Sequence, residues 1–161
     1  MLLAALLATV TLASSHAPAH LRAGARLGEI RISRIGLVAE VDQGANTLYT
    51  AAWPAELDHG AAHYPDTALP WHQGTVGIAG HRVTHTKPFL RLNRVRKNDL
   101  IVLATRWGVF RYRVFAMKIV KPTALWVLRG RLGHRLVLTA CHPPHSDSER
   151  LVVFARRSAV R

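Results

Sequence analysis

The chain has 161 residues, of which 49% are hydrophobic and 19% charged, which is typical of one globular domain and excludes a disordered chain. Its 22 Lys and Arg residues against 9 Asp and Glu residues give a net charge of +13, so either a polyanionic neighbour or simply a well-solvated basic surface is expected. The basic residues are scattered, without the runs, aromatic interleaving or zinc-finger spacing typical of nucleic-acid binding, so we expect no nucleic-acid partner.

The N-terminal residues 2–13, LLAALLATVTLA, form an apolar run without a charge. A bilayer span needs about 20 such residues, so the run has the length of a signal-peptide core, and APA at 17–19 resembles a cleavage site. No Lys or Arg precedes the run, and we expect a basic start and part of an anchor helix upstream. Residues 1–28 are interpreted as a signal- or anchor-like segment and linker, with a buried helix as the alternative. This interpretation predicts a protein at the extracytoplasmic face of the cell membrane.

The remaining residues, 29–161, are interpreted as one domain of short strands. Apolar stretches bounded by turn residues predict strands at 30–41 with a turn at Gly36, and at 74–80, 100–105, 107–120, 135–140 and 151–155. A short helix or loops are expected at 44–66, and a loop with a helical turn at 85–100. Many short strands with little helix predict an all-β fold, a closed or nearly closed barrel, because unpaired strands of this kind aggregate.

Three polar side chains of complementary chemistry lie at predicted strand ends. His81 follows the strand 74–80, Cys141 follows 135–140, and Arg150 precedes 151–155. Cys141 is the single cysteine of the chain, so it cannot form an intramolecular disulfide. In an oxidising compartment an unpaired cysteine indicates a thiol kept for chemistry.

These three groups together suit acyl transfer through a thioester. A thiolate attacks a carbonyl, an imidazole exchanges the proton and donates it to a leaving amine, and a guanidinium holds the carbonyl oxygen or the oxyanion. From the residues alone the alternatives stay open. A single cysteine is more often a small buried hydrophobe, His81 is compatible with any surface or core histidine, and an arginine before a strand is most often solvated or salt-bridged.

Six segments of the sequence resemble those of one enzyme family in their order. GIAGHRVTHTKPF, LVLTACHP and RLVVFA resemble the signature blocks of sortases, the cysteine transpeptidases that attach surface proteins to bacterial cell walls. RISRIGL, HYPDTALP and VFRYRVFAMKIVKP also resemble the family's segments. The resemblance covers residues 29–156 and is greatest to class E of high-GC Gram-positive bacteria, with class D second.

The resemblance implies a mostly antiparallel barrel of about eight strands with a cleft over the ends of the strands that bear the three side chains. Cys141 would be the nucleophile, His81 the general acid/base, and Arg150 the group that binds the carbonyl or oxyanion. The substrates would be surface proteins with an LPXTG-type motif, LAXTG in class E, cleaved between Thr and Gly. The acceptor would be an amine of a peptidoglycan precursor, and the N-terminal segment would hold the enzyme at the membrane.

No cofactor and no metal are expected from the resemblance. The segment HRVTH, with His85 four residues after His81, lacks the Glu of the zinc-protease motif, and the few carboxylates form no obvious calcium cluster. Two other functions stay open at this point. One is a pilus-assembling sortase with a Lys side chain as acceptor, and the other is a non-catalytic exported barrel that binds the anionic wall.

Several further residues are expected on the substrate side of the cleft. The family usually has Thr directly before the cysteine, where this chain has Ala140, which puts one contact to substrate or oxyanion in doubt. We predict that the substrate-binding residues include the neighbours of Cys141 and a His-Tyr pair that precedes the first signature block. These residues are His63, Tyr64, Thr139, Ala140 and His142.

Overall fold

The structure is a computed structural model that describes residues 16–45 and 55–158. The apolar run 2–13 lies outside the described residues, and so do residues 46–54 of the predicted helix-or-loop region 44–66. Among the residues described, no helix has both the length and the apolar character needed to cross a membrane.

Eight strands and four short helical segments make up the described chain. The strands are β1 (Arg26–Ile32), β2 (Leu37–Gln43), β3 (Ala61–His63), β4 (Gly74–Gly80), β5 (Leu100–Thr105), β6 (Gly108–Val120), β7 (His134–His142) and β8 (Glu149–Arg157). The helical segments are α1 (Glu56–His59) and three 3-10 turns at Ser33–Ile35, Leu92–Arg94 and Leu125–Leu128.

The strands close into one barrel in the order β1-β2-β3-β4-β7-β8-β6-β5. The pairs β2/β3 and β4/β7 are parallel, and the other six pairs in the described barrel are antiparallel. Closure gives every strand of the described barrel a partner on both sides, so none of these apolar strands lies at an open sheet edge. The prediction of a mostly antiparallel barrel of about eight strands is confirmed.

Strand β7 pairs with β4 on one side and with β8 on the other, and both of its faces are covered by apolar side chains. Leu136 and Leu138 point into the main core, whereas Val137 belongs to a second apolar cluster outside the barrel, which includes Leu128 and Phe154. A strand buried on both faces reads as a continuous apolar run, which is why LVLTA shows no alternation of polar and apolar residues.

The two strands that carry the candidate site are longer than their apolar stretches indicate. β7 continues through His142 and β8 begins at Glu149, so Cys141 and Arg150 lie within the strands and not beyond their ends. The ladder persists because backbone hydrogen bonds between β7 and β8 do not require apolar side chains.

Other boundaries differ from the predicted ones at the start of the barrel. β1 begins at Arg26, within the segment predicted as linker, because alternate residues such as Leu27 point into the core. β3 was not predicted, since its three residues are too few to give a periodic signal. The predicted turn at Gly36 is present, with φ of +64° in the left-handed region that glycine tolerates.

Candidate active site

The three predicted catalytic residues lie at one end of the barrel, Cys141 and Arg150 within two neighbouring strands and His81 directly after a third. The last parallel pair of β4 and β7 joins Ala79 to Thr139, and two residues further along each chain come His81 and Cys141. On the other side of β7, Cys141 is the antiparallel partner of Arg150 on β8. All three side chains are partly exposed, so the sulfur is not sealed in the core.

Charged groups of both signs surround the Cys141 thiol. Burial raises its pKa above the ordinary value, the guanidinium groups of Arg150 and Arg82 act to lower it, and the Asp147 carboxylate raises it further. Desolvation has the largest effect, so the thiol is neutral at neutral pH in the free protein. The two arginines oppose desolvation and Asp147 and so favour the thiolate.

Arg82 is a functional candidate that the sequence analysis missed. Its side chain is 4% exposed, and its Nη1 donates hydrogen bonds to the carbonyl of Cys141 at 3.4 Å and to Nδ1 of His142 at 2.7 Å. Arginine has no acceptor, so Nδ1 of His142 accepts this bond and carries no proton. A buried arginine bonded to the backbone carbonyl of Cys141 thus fixes both this residue and the ring that follows it.

Arg150 is held by the turn that joins β7 to β8. Its Nη1 donates to the backbone carbonyls of Asp147 at 2.7 Å and of Glu149 at 3.0 Å. These bonds keep the guanidinium beside its register partner Cys141. A fixed guanidinium with several donors can hold a carbonyl oxygen in the same place throughout a reaction.

His81 contacts a carboxylate and a second imidazole. Its Nε2 lies 3.6 Å from Oδ1 of Asp58, and its ring stacks on that of His85 with centroids 4.6 Å apart. Burial and the neighbouring His85 lower the pKa of His81, and Asp58 opposes this by favouring the charged imidazolium. Sequence patterns gave no signal for Asp58, because its helix α1 is four residues long and far upstream.

Four of the five residues expected on the substrate side lie in the interior. Tyr64 and Thr139 share a hydroxyl–hydroxyl hydrogen bond, and Ala140 belongs to the main core. His63 is 1% exposed and is bound by Gln43, Thr67 and the carbonyl of Ala68. These side chains join the strands around the site, and their contact with substrate stays a prediction.

His142 is the exception, because it is partly exposed next to Cys141 and its ring is oriented by Arg82. It follows Cys141 at the end of β7, where the chain turns towards β8. Of the five predicted residues, His142 is the one whose ring a bound peptide could reach directly in this conformation.

Comparison with known proteins gives the same family as the order of the sequence blocks. The sortase domain family model matches residues 30–158. The chain is 26% identical over 155 residues to sortase SrtE1 of Streptomyces coelicolor, and the alignment covers 86% of this chain and 42% of that protein. It is 29% identical over 107 residues to sortase D of Bacillus subtilis, covering 63% of this chain and 52% of that protein.

A solved sortase E variant from Streptomyces avermitilis superposes with a TM-score of 0.74 at 27% identity, covering 86% of this chain and 91% of the other. The chain spans about half the length of the two curated relatives that it matches. The family match nevertheless covers most of the described barrel, including the strands that carry His81, Cys141 and Arg150. This chain belongs to the sortase family.

Proposed function

We propose that the protein is a class E-like cysteine transpeptidase that cleaves a C-terminal sorting motif and transfers the surface protein to an amine. The observation that carries this proposal is the strand register around Cys141. The thiol on β7 lies opposite Arg150 on β8, and the β4/β7 ladder leads to His81 on its other side. Membership of a family of cysteine transpeptidases supports the same chemistry.

The first half-reaction would start from the charged pair of thiolate and imidazolium. The Cys141 sulfur attacks the Thr carbonyl of the motif, and the oxygen gains negative charge that the Arg150 guanidinium stabilises. The imidazolium of His81 then gives its proton to the Gly nitrogen as the Thr–Gly bond breaks. The products are a Thr thioester on Cys141, a free Gly amine and a neutral His81.

The second half-reaction reverses these roles. A primary amine attacks the thioester carbonyl, neutral His81 takes the amine proton, and the Cys141 thiolate leaves as the new amide forms. We propose an LAXTG- or LPXTG-type motif as donor and a peptidoglycan-precursor amine as acceptor. The reaction would take place at the extracytoplasmic face of the membrane, an assignment supported by the apolar run 2–13, which has the length of a signal-peptide core.

The proposal is tested with a small library of sorting-motif peptides, a glycine-based amine acceptor and product analysis by mass spectrometry. We expect cleavage after Thr and an amide to the acceptor, with LAXTG peptides preferred. Cys141→Ala is expected to abolish both products. Arg150→Ala is expected to lower kcat by about 100-fold or more, the usual effect of losing an oxyanion donor.

The matched control is Arg156→Ala, which removes an exposed arginine from the other end of β8. This variant has the same loss of charge and should keep wild-type turnover. Full activity of Cys141→Ala would contradict the mechanism. Equal losses in Arg150→Ala and Arg156→Ala would mean that net charge matters and that the position beside Cys141 does not.

A further inference from the structure

A carboxylate and two imidazoles converge beside the proposed acid/base residue. Oδ1 of Asp58 lies 3.3 Å from Nε2 of His85 and 3.6 Å from Nε2 of His81. One ligand atom from each of these residues lies within 4.8 Å of the other two. We refer to Asp58, His81 and His85 as the Asp-His-His cluster.

Two of the three spacings in the Asp-His-His cluster are close to the edge of a metal coordination tetrahedron. With metal–nitrogen and metal–oxygen bonds of about 2.0–2.2 Å, two ligand atoms of a tetrahedral zinc ion lie about 3.3–3.6 Å apart. The two distances from Asp58 match this edge. Two imidazole nitrogens and one carboxylate oxygen also form a donor set that zinc sites use, with a fourth position for water.

The backbone around the cluster is fixed by hydrogen bonds. The carbonyl of His81 accepts a bond from the N–H of Phe89 at 3.1 Å, and Phe89 is fully buried in the core. The loop that carries His85 therefore starts and ends against the barrel. Asp58 lies on α1, and the buried Leu57 of this helix anchors it to the protein. The three ligands thus lie on two anchored segments, and binding one ion requires the stacked rings of His81 and His85 to turn until both Nε2 lone pairs converge on it.

The exposure of the cluster leaves a path for an ion. The side chains of Asp58 and His85 are each 45% exposed, whereas that of His81 is 14% exposed. An ion can thus arrive from solvent at Asp58 and His85 and reach His81 from the outer side. Imidazole ligands select zinc-like transition metals over calcium and magnesium, which prefer oxygen.

We propose that the Asp-His-His cluster binds one divalent transition-metal ion of the zinc class, and that the bound ion inhibits the enzyme by occupying Nε2 of His81. The inhibitory half of this inference rests on the proposed function, whereas the binding half does not. A metal-bound imidazole nitrogen has no free lone pair, so His81 cannot use that atom to exchange a proton during transfer. Zinc would then act as a reversible inhibitor of transpeptidation.

Binding is measured on the full chain by titrating ZnCl₂ against a chromophoric chelator, and by recording the visible spectrum with CoCl₂. We expect one tightly bound equivalent of zinc. The cobalt spectrum should show intense tetrahedral d–d bands and no thiolate-to-cobalt charge-transfer band, because Cys141 is not a ligand. Absence of a stoichiometric site in the wild-type protein, or a thiolate band that Cys141→Ala removes, overturns the assignment.

Three variants identify the ligands. Asp58→Asn and His85→Ala should each weaken zinc binding by at least about tenfold, the loss already typical for residues that only support a ligand. His72→Ala removes an exposed histidine outside the cluster and should bind zinc as the wild type does. Wild-type affinity in both Asp58→Asn and His85→Ala overturns the site, and both positions are exposed enough for the variants to fold.

The effect on catalysis is measured separately with the peptide assay in the presence and absence of ZnCl₂. We expect zinc to inhibit the wild type at the concentration at which it binds, and a chelator to restore activity. His85→Ala should need at least about tenfold more zinc for the same inhibition. Zinc binding with no inhibition overturns the proposed inhibition by zinc and leaves the transpeptidase proposal intact. An enzyme inactive without zinc contradicts the proposed function, while the cobalt spectrum still decides the site.

Discussion

Cys141 and Arg150 face each other across the antiparallel strands β7 and β8 as direct register partners. Side chains in this relationship have Cβ atoms about 4.5–5.5 Å apart, so a guanidinium at one position influences a thiol at the other. The turn between β7 and β8 connects the two residues along the chain. The backbone carbonyls of Asp147 and Glu149 accept hydrogen bonds from Arg150 and hold its guanidinium. The reactivity of Cys141 therefore depends on the charges that this turn presents.

The first prediction concerns the rate at which iodoacetamide alkylates Cys141. Arg150 lowers the pKa of the thiol and Asp147 raises it. Because only the thiolate reacts, Arg150→Ala should slow alkylation at neutral pH, whereas Asp147→Asn should accelerate it. The rate is followed by intact-mass spectrometry, and Arg156→Ala serves as control. Changes of the same sign in Arg150→Ala and Asp147→Asn would show that the two charges do not act on the sulfur.

The second prediction concerns the pH dependence of kcat/KM for peptide cleavage. Burial raises the pKa of Cys141 and lowers that of His81, so the neutral pair predominates between the two values. The charged pair needs the thiolate, favoured as pH rises, and the imidazolium, favoured as pH falls. We expect a broad bell whose acidic limb lies below the ordinary imidazole pKa and whose basic limb lies above the ordinary thiol pKa. A profile with only one limb would contradict this coupling.

The third prediction concerns Arg82, whose buried guanidinium holds the Cys141 carbonyl and the His142 ring. Arg82→Met removes the charge while filling a similar volume, and Arg82→Lys keeps the charge. Since Arg82 lowers the pKa of Cys141, the Met variant should be alkylated more slowly than the Lys variant. Peptide cleavage should follow the same order, with the Met variant reduced by about tenfold or more if His142 also loses its orientation. Equal rates for the two variants would assign Arg82 a purely structural role.

The barrel and the placement of His81, Cys141 and Arg150 near strand ends are predictable from the sequence because they depend on local patterns. The strand 74–80 is bounded by glycines and coincides with β4, and the lone Cys141 follows a run that is apolar on both faces. The resemblance of the sequence blocks to sortases is likewise local, since each block is a short continuous stretch of the chain. The family match over residues 30–158 confirms that recognition.

The rest of the site depends on contacts between distant segments, for which the sequence gives no periodic signal. Asp58 reaches His81 and His85 only because β3 pairs with both β2 and β4 and so places α1 above the end of β4. The burial of Arg82 cannot be predicted from its neighbours in sequence, because it results from contact with Cys141 and His142 on β7. The motif that contains His63 likewise gives no sign of the bond to Gln43 of β2 that holds this ring in the interior.

The fourth prediction follows from that burial of His63. Desolvation lowers its pKa to about 4 in the folded protein, against 6.5 for an ordinary imidazole. Between these values the unfolded chain binds more protons than the folded one, so the free energy of unfolding must fall as pH falls from about 6.5 to 4. The full loss is roughly 3 kcal/mol, and none is expected above pH 6.5 or further below pH 4.

This acid sensitivity is measured by urea denaturation at several pH values on the wild type and on His63→Gln. The variant should be less stable at pH 7 because it loses the bond network, but its stability should depend less steeply on pH between 6.5 and 4. His81 and the carboxylates titrate in both proteins, so the difference in slope isolates His63. Parallel pH profiles for the two proteins would contradict the neutral, buried imidazole.

The last prediction concerns the close approach of β1 and β5 at Gly28. A Cβ at this position would lie 2.2 Å from the carbonyl oxygen of Ala104, a backbone atom that cannot move without disturbing the ladder. Gly28→Ala should therefore lower the free energy of unfolding by about 1–3 kcal/mol or more. Gly130→Ala is the matched control, since a Cβ there meets nothing within 4 Å. Urea denaturation of both variants checks the difference. Equal stability would mean that β1 and β5 are further apart, which would also loosen the closure of the barrel on the side away from Cys141.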